Sequence, residues 1–156
     1  MLHRGRRDAR RPRGTATADL GALPFPAGRF AVVWCRLASG HLQRLAPLYR
    51  ELARVLSTGG RAVVTDFHPE AIRAGHRRIF RDASGKSHEV THVVHEPHAH
   101  EREAAGAGLA VEARLDYGIG SEVRPFWERA GALDRFVRER GSPLLLAFRF
   151  RKGTPP

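Results

Sequence analysis

Five histidines crowd between positions 88 and 100: His88, His92, His95, His98 and His100, with Glu96 and Glu101 among them. Neutral imidazole is a common metal ligand, and carboxylates can complete such a site. The spacing here matches no established zinc signature, and the surrounding sequence fixes no two ligands on one helical turn. The run is therefore read as a solvated, histidine-bearing segment with no metal, in which His92 is the side chain that could reach a substrate. A second group sits after the apolar run Ala62-Val63-Val64-Thr65, where Asp66 and His68 are the candidate catalytic side chains, His68 as a general base. His41, in a loop after another apolar run, is a further substrate-side candidate together with His68. The lone Cys35 has no evident activating base, and a thiol at the end of a buried strand is usually inert.

These residues need elements to hold them. Leu45, Leu48, Leu52, Val55 and Leu56 recur at three- and four-residue intervals and mark one face of a helix. Pro47 suits its first turn, and Gly59-Gly60 is expected to end it, because glycine reaches the left-handed C′ conformation without steric penalty. Arg61 to Thr65 then reads as a strand apolar on both faces, as in a sheet covered by helices. Its polar tip, Asp66-Phe67-His68-Pro69, falls where open α/β sheets bind ligands. Phe30 to Cys35 reads as a second strand, and Leu37 to Leu42 as the loop into the helix. Strand, loop, helix and strand make a βαβ unit.

Before that unit, residues 1–18 lack apolar periodicity and read as a disordered basic arm. Pro24 and Pro26 hold the next stretch extended, and Ala27-Gly28-Arg29 makes a turn. After it, Glu70 to Phe80 is expected to be helical, with Ile72, Ile79 and Phe80 as a weak apolar stripe. Asp82 to Lys86 is a turn and Val90 to Val94 a short strand, so that residues 70–100 form a lid-like insert over the ligand edge. Glu101 to Ala105 reads as helix and Leu109 to Leu115 as strand. Arg124 onward reads as a helix with Phe126, Trp127, Ala130, Leu133 and Val137 facing inward, followed by a last strand, Leu144 to Phe150. The body thus spans residues 19–150, with a polar tail at 151–156.

The 156 residues are enough for one domain with a single core. A hydrophobic fraction of 42% with 28% charged residues describes a globular protein, and no apolar run approaches the ~20 residues of a membrane span. A single cysteine and the lack of an apolar segment after the basic N-terminus give no signal for export, so the cytoplasm is the expected location. The net charge of +11 suggests nucleic acid at first sight, but residues 1–14 alone carry +5. In the body, arginines alternate with acids, as in Glu51/Arg54 and Arg138/Glu139/Arg140, the pattern of solvated helix faces. Nucleic-acid binding is not expected.

Taken together, Asp19 with Leu23-Pro24-Phe25-Pro26, the strand Phe30 to Cys35, and Ala53-Arg54-Val55-Leu56-Ser57-Thr58-Gly59-Gly60 resemble the middle of a class I S-adenosylmethionine-dependent methyltransferase, more narrowly of the type 11 small-molecule group. Ala31 stands where that family usually has Asp, and Thr58 where it usually has Pro. The resemblance implies a partial Rossmann-like sheet, the second half of the family's fold, with about four strands and flanking helices. The glycine-rich cofactor loop and the family's first three strands have no counterpart, which leaves Phe30–Cys35 as an exposed sheet edge. By resemblance, Asp19 and Leu20 would contact the adenine of S-adenosylmethionine, and Cys35, Arg36 and Leu37 its methionine portion. The implied activity is methyl transfer to a small-molecule acceptor, by a truncated domain that binds cofactor weakly or not at all alone. The alternative is a non-catalytic interaction module that uses the exposed edge for self-association or for a partner chain.

Overall fold

The apolar periodicity does make a helix. In the computed structural model, α1 (Ala46–Val55) carries Pro47 in its first turn and buries Leu48, Tyr49, Leu52, Ala53 and Val55. The structure describes residues 14–153, so most of the expected basic arm and the end of the tail lie outside the described residues. On either side of α1 run β1 (Phe30–Arg36) and β2 (Leu56–Phe67), paired in parallel as a βαβ unit requires. The chain then returns through β5 (Leu109–Gly118) and β6 (Pro143–Lys152), giving a four-stranded sheet in the order β1-β2-β6-β5. β6 runs antiparallel to both of its neighbours. Among the described residues β1 has a neighbour on one side only and is a sheet edge.

Strand register sorts the side chains into two faces. Cys35, Val64 and Phe148 lie in one row across β1, β2 and β6. Against that face pack α1 and α3 (Pro97–Gly106), closing a core with Leu48, Tyr49, Leu52, Ala104 and Phe150. Each fully buried Leu or Phe there contributes about 1.5–3 kcal/mol. The opposite row is Trp34, Val63 and Arg149. It is open: Val32 is 62% and Trp34 61% exposed, and Arg61 and Arg149 share Glu112 across it. Among the described residues β2 is therefore not covered on both faces: α1 and α3 lie on the Val64 side.

Four local expectations change. The helix stops at Val55, with Leu56 already extended, and the glycine pair lies inside β2. Between Phe30↔Leu56 and Val32↔Arg61 the strands slip register, and Gly59 takes φ +72° within that bulge. Gly60 is needed because a Cβ there would lie 2.8 Å from the Ser57 carbonyl and 3.1 Å from that of Ala31. The helix expected from Glu70 to Phe80 ends early: α2 is only Pro69–Arg73, and Gly75 at φ +86° turns the chain away. Ile79 and Phe80 instead belong to β3 (Ile79–Arg81), which pairs with β4 (Ser87–Glu89) in a separate hairpin, while Val90 to Val94 form no strand. Beyond β5 the single expected helix is two, α4 (Arg124–Arg129) and α5 (Leu133–Glu139), separated by Gly131 at φ +64°. Phe126 and Val137 point to solvent at 64% and 72%, and the buried residue is Phe136. No helix among the described residues is long and apolar enough to cross a membrane.

Candidate functional site

The carboxyl ends of β1 and β2 lie side by side, and the β1–α1 loop is folded over them by one carboxylate. Asp66 is buried, and its Oδ2 accepts from Ser39 Oγ at 2.5 Å and from the Gly40 amide at 2.6 Å. Its Oδ1 accepts from the Phe67 amide at 2.8 Å. Three donors satisfy a charge that could not otherwise stay buried. Gly40 is held from the other side, where its carbonyl accepts from the Val93 amide at 2.7 Å, and a Cβ there would press on Asp66 Oδ2 and the Val93 carbonyl, each at 3.3 Å. Asp66 thus fastens the loop to β2 and, through Gly40, to the segment after β4.

His68 is the N-cap of α2. Its Nδ1 accepts from the Glu70 amide at 3.1 Å, which leaves the proton of the neutral ring on Nε2, 3.6 Å from Asp116. A ring whose lone pair caps a helix holds the strand tip in place. His41 is exposed at the top of the loop. Leu37, between them, has φ +51°, the one positive value at a non-glycine among the described residues. Its amide donates to Thr65 O at 2.7 Å.

The histidine run is dispersed by its contacts. His95 Nε2 lies 2.8 Å from Leu42 O, and His88 Nε2 is 2.7 Å from Asp82 in the β3–β4 turn. His98 is exposed. His100 is buried, with Nδ1 2.8 Å from the Tyr49 hydroxyl and its ring stacked on Phe148. Burial, and then the neighbouring His95, pushes its pKa down to about 4. Burial pushes the Tyr49 hydroxyl up as its main effect. His92 reaches the strand tip, its ring 6.3 Å from that of Phe67. A cavity of about 10 Å³ bounded by Ser39, Asp66, His92, His95 and His100 is of the size of one water. No group of three His, Cys, Asp or Glu side chains among the described residues is placed to hold a metal ion.

The other candidates lie along the β1 edge. Leu20 and Cys35 line one apolar groove of about 320 Å³, with Leu23, Phe25, Val33 and Leu52. Burial, and then the charge of Asp66, pushes the Cys35 thiol up to about 11, so it stays protonated and unreactive. Asp19 is exposed, with Oδ1 accepting from the Gly21 amide at 2.7 Å. Arg36 lies exposed with its guanidinium 5.8 Å from the Trp34 ring. The segment carrying Asp19 is fixed to α1 by a charged clamp. Glu51 accepts from the Leu23 amide at 2.7 Å, and Arg54 donates to the carbonyls of Phe25 and Leu23 at 2.7 and 2.9 Å. The Arg54 guanidinium holds the Glu51 carboxyl down to about 2. The structure brings Leu20 to Cys35, and Asp66 to the β1–α1 loop, but it leaves Asp19 and Arg36 on the surface. Ser39 and Tyr49, which complete the two buried polar pairs, gave no sequence signal beyond Ser39 sitting next to a loop glycine.

A family model described as a methyltransferase domain matches residues 1–64. The chain is 31% identical over 137 residues to 27-O-demethylrifamycin SV methyltransferase of Amycolatopsis mediterranei, covering 85% of this chain and 48% of that protein. It is 41% identical over 75 residues to malonyl-[acyl-carrier protein] O-methyltransferase of Halorhodospira halophila, covering 46% of this chain and 25% of the other. The chain thus spans about half the length of the first of these curated relatives and a quarter of the second. Its fold is similar to the crystal structure of an S-adenosylmethionine-dependent methyltransferase from Mesorhizobium loti, with a TM-score of 0.59 at 20% identity, over 86% of this chain and 68% of that one. The motifs from Asp19 to Gly60, the sheet order with its antiparallel β6, and these matches agree: the chain is similar in sequence and in fold to the class I S-adenosylmethionine-dependent methyltransferases.

Proposed function

We propose that this domain takes part in S-adenosylmethionine-dependent methyl transfer to an oxygen atom of a small-molecule acceptor, in the cytoplasm. The observation that carries the reading is the likeness to 27-O-demethylrifamycin SV methyltransferase over 85% of the chain. The second curated relative, by its name, is also an O-methyltransferase. Methyl transfer to a good nucleophile needs alignment and exclusion of water more than it needs a catalytic acid or base. That suits a strand edge at which Asp66 and His68 are occupied in holding backbone.

S-Adenosylmethionine supplies the electrophilic methyl group when bound, and the groove at β1 tests whether the residues present fit it. Leu20, Leu23 and Cys35 offer an apolar wall suited to an adenine face, and Asp19 stands next to it. Among the described residues no carboxylate lines the groove to hold ribose hydroxyls. The described residues supply one wall of a cofactor site and no more, and we expect weak binding by this chain alone. Nuclear magnetic resonance with S-adenosylhomocysteine tests the assignment. Amides of Leu20, Cys35 and Leu37 should move at millimolar ligand, and unmoved spectra would sink it. A micromolar isotherm in calorimetry would show that the ribose contacts come from elsewhere in the chain.

A second reading, as an interaction module, is favoured by one observation. Among the described residues β1 is an unpaired edge with exposed Val32 and Trp34 beside an apolar groove. Such an edge is a template for a further strand, from a second copy or a partner chain.

A further inference from the structure

Arg78, between α2 and β3, reaches the carboxyl ends of β1 and β2. Its Nη2 donates to Leu37 O at 2.9 Å, and its guanidinium stands 5.7 Å from the centre of the Phe67 ring. The Val90 amide donates to its carbonyl at 2.8 Å, which fixes the backbone behind it. Nη1 is buried and has no hydrogen-bond partner. Among the described residues no carboxylate comes within ion-pair distance of Arg78. Asp66 is taken up by Ser39, Gly40 and Phe67, Glu89 faces Arg77, and Glu70 and Glu96 face Arg73.

A guanidinium keeps its charge at any ordinary pH. A buried N–H without an acceptor bears its desolvation cost in full, and buried charges are normally paired. Two other buried side-chain atoms also lack a hydrogen-bond partner, but each has an ordinary explanation. Glu139 Oε2 has His76 Nε2 at 2.9 Å, and His92 borders the water-sized cavity. Arg78 has no counter-charge among the described residues and no option of neutrality. The carbonyl it holds belongs to Leu37, the residue kept at φ +51°. Strained residues of this kind cluster at ligand clamps, and the place is the strand edge where α/β sheets take ligands.

We propose that Arg78 Nη1 receives an oxyanion, a carboxylate or phosphate group carried by the methyl acceptor, so that the domain selects acidic small molecules. Guanidinium geometry matches both groups. The word acceptor rests on the methyl-transfer reading; the oxyanion site itself does not. The methionine carboxylate of the cofactor has the same chemistry, and the experiment separates the two sources.

The test is nuclear magnetic resonance on the full chain with 15N-labelled arginine side chains and backbone. The Nε–Hε signal of Arg78 is assigned by its loss in Arg78→Lys. At constant ionic strength it should shift saturably with acetate and with inorganic phosphate and stay in place with acetamide, and the Leu37 and Val90 amides should follow. In Arg78→Gln those amides should no longer respond, while a dispersed spectrum shows the fold intact. If that variant does not fold, Arg78→Lys should keep a weaker, still saturable response of the same amides. A shift of Arg78 no larger than those of exposed Arg36 and Arg77 would overturn the site. S-Adenosylhomocysteine and 5′-methylthioadenosine, which lacks the amino-acid carboxylate, are compared next. Arg78 moving with the former only would overturn the acceptor assignment, and moving with neither supports it. If acetate titrates Arg78 while S-adenosylhomocysteine leaves Leu20 and Cys35 unmoved, the cofactor reading falls and this site stands. The reverse pattern sinks this site alone.

Discussion

His100 and Asp66 solve the same problem in opposite ways. Both are polar side chains within the layer between α1, α3 and the sheet. Asp66 keeps its place by collecting donors from Ser39, Gly40 and Phe67. His100 keeps its own by staying neutral, since burial depresses its pKa to about 4 against an ordinary value near 6.5. The sign of the resulting pH dependence follows. Above pH 6.5 the ring is neutral whether the chain is folded or not, and the folded state is at full strength. Between pH 6.5 and 4 the unfolded chain takes up a proton that the folded one refuses, so stability falls by up to about 3 kcal/mol across that window. Urea unfolding at pH 7 and pH 4.5 should show this loss. His100→Leu should reduce its pH dependence while lowering stability at pH 7 by about 1–3 kcal/mol, because the Tyr49 hydroxyl is left without its partner. An unchanged pH profile in that variant would place the titration elsewhere.

The elements show why some of this was legible and some was not. α1 could be read because five apolar residues at helical spacing allow only one buried face. The strand after it was legible because an apolar run with a polar end is uncommon outside a sheet. Gly59-Gly60 was misplaced because glycine has several uses, and a register bulge leaves the same trace as a helix cap. Its true role is testable. A methyl group at position 60 would meet the Ser57 carbonyl at 2.8 Å and the Ala31 carbonyl at 3.1 Å. Both are backbone, and the second belongs to the neighbouring strand. Gly60→Ala should therefore cost about 1–3 kcal/mol through forced displacement, and protection of β1 amides from hydrogen exchange should fall with it. If Gly60 were only a helix terminator the cost would be smaller and β1 would be unaffected. The stretches 70–80 and 124–139 resemble single helices in sequence because their apolar residues are few, and the positive φ of Gly75 and Gly131, which breaks them, leaves no mark of its own in the sequence. For the site, strand ends and loop placed Asp66, Leu37 and His41 together, since topology alone does that. Arg78 could not be found, because in an arginine-rich chain nothing marks the one whose charge lacks a counter-ion.

At the scale of the molecule, the core formed by the described residues lies on one side of the sheet. α1 and α3 cover the Cys35–Val64–Phe148 face, whereas the Trp34–Val63–Arg149 face and the free side of β1 meet solvent. Among the described residues β1 combines three hazards: unpaired backbone groups, two large side chains more than 60% exposed, and an apolar groove of about 320 Å³ alongside. Edge strands that stay single usually carry charge or proline to discourage pairing; between Phe30 and Cys35 there is neither. This chain should therefore associate through β1. Sedimentation velocity across a hundredfold range of concentration should show a mass that rises with concentration. The double variant Val32→Lys, Trp34→Lys should return it to the monomer. Both positions face solvent, so the lysines should shift the unfolding midpoint by little, and exposed changes of this kind usually stay within about 0.5 kcal/mol. Loss of association with an unchanged midpoint would mark β1 as a contact surface. A wild-type chain that stays monomeric throughout would show that the edge is protected, and the interaction-module reading would fall with it.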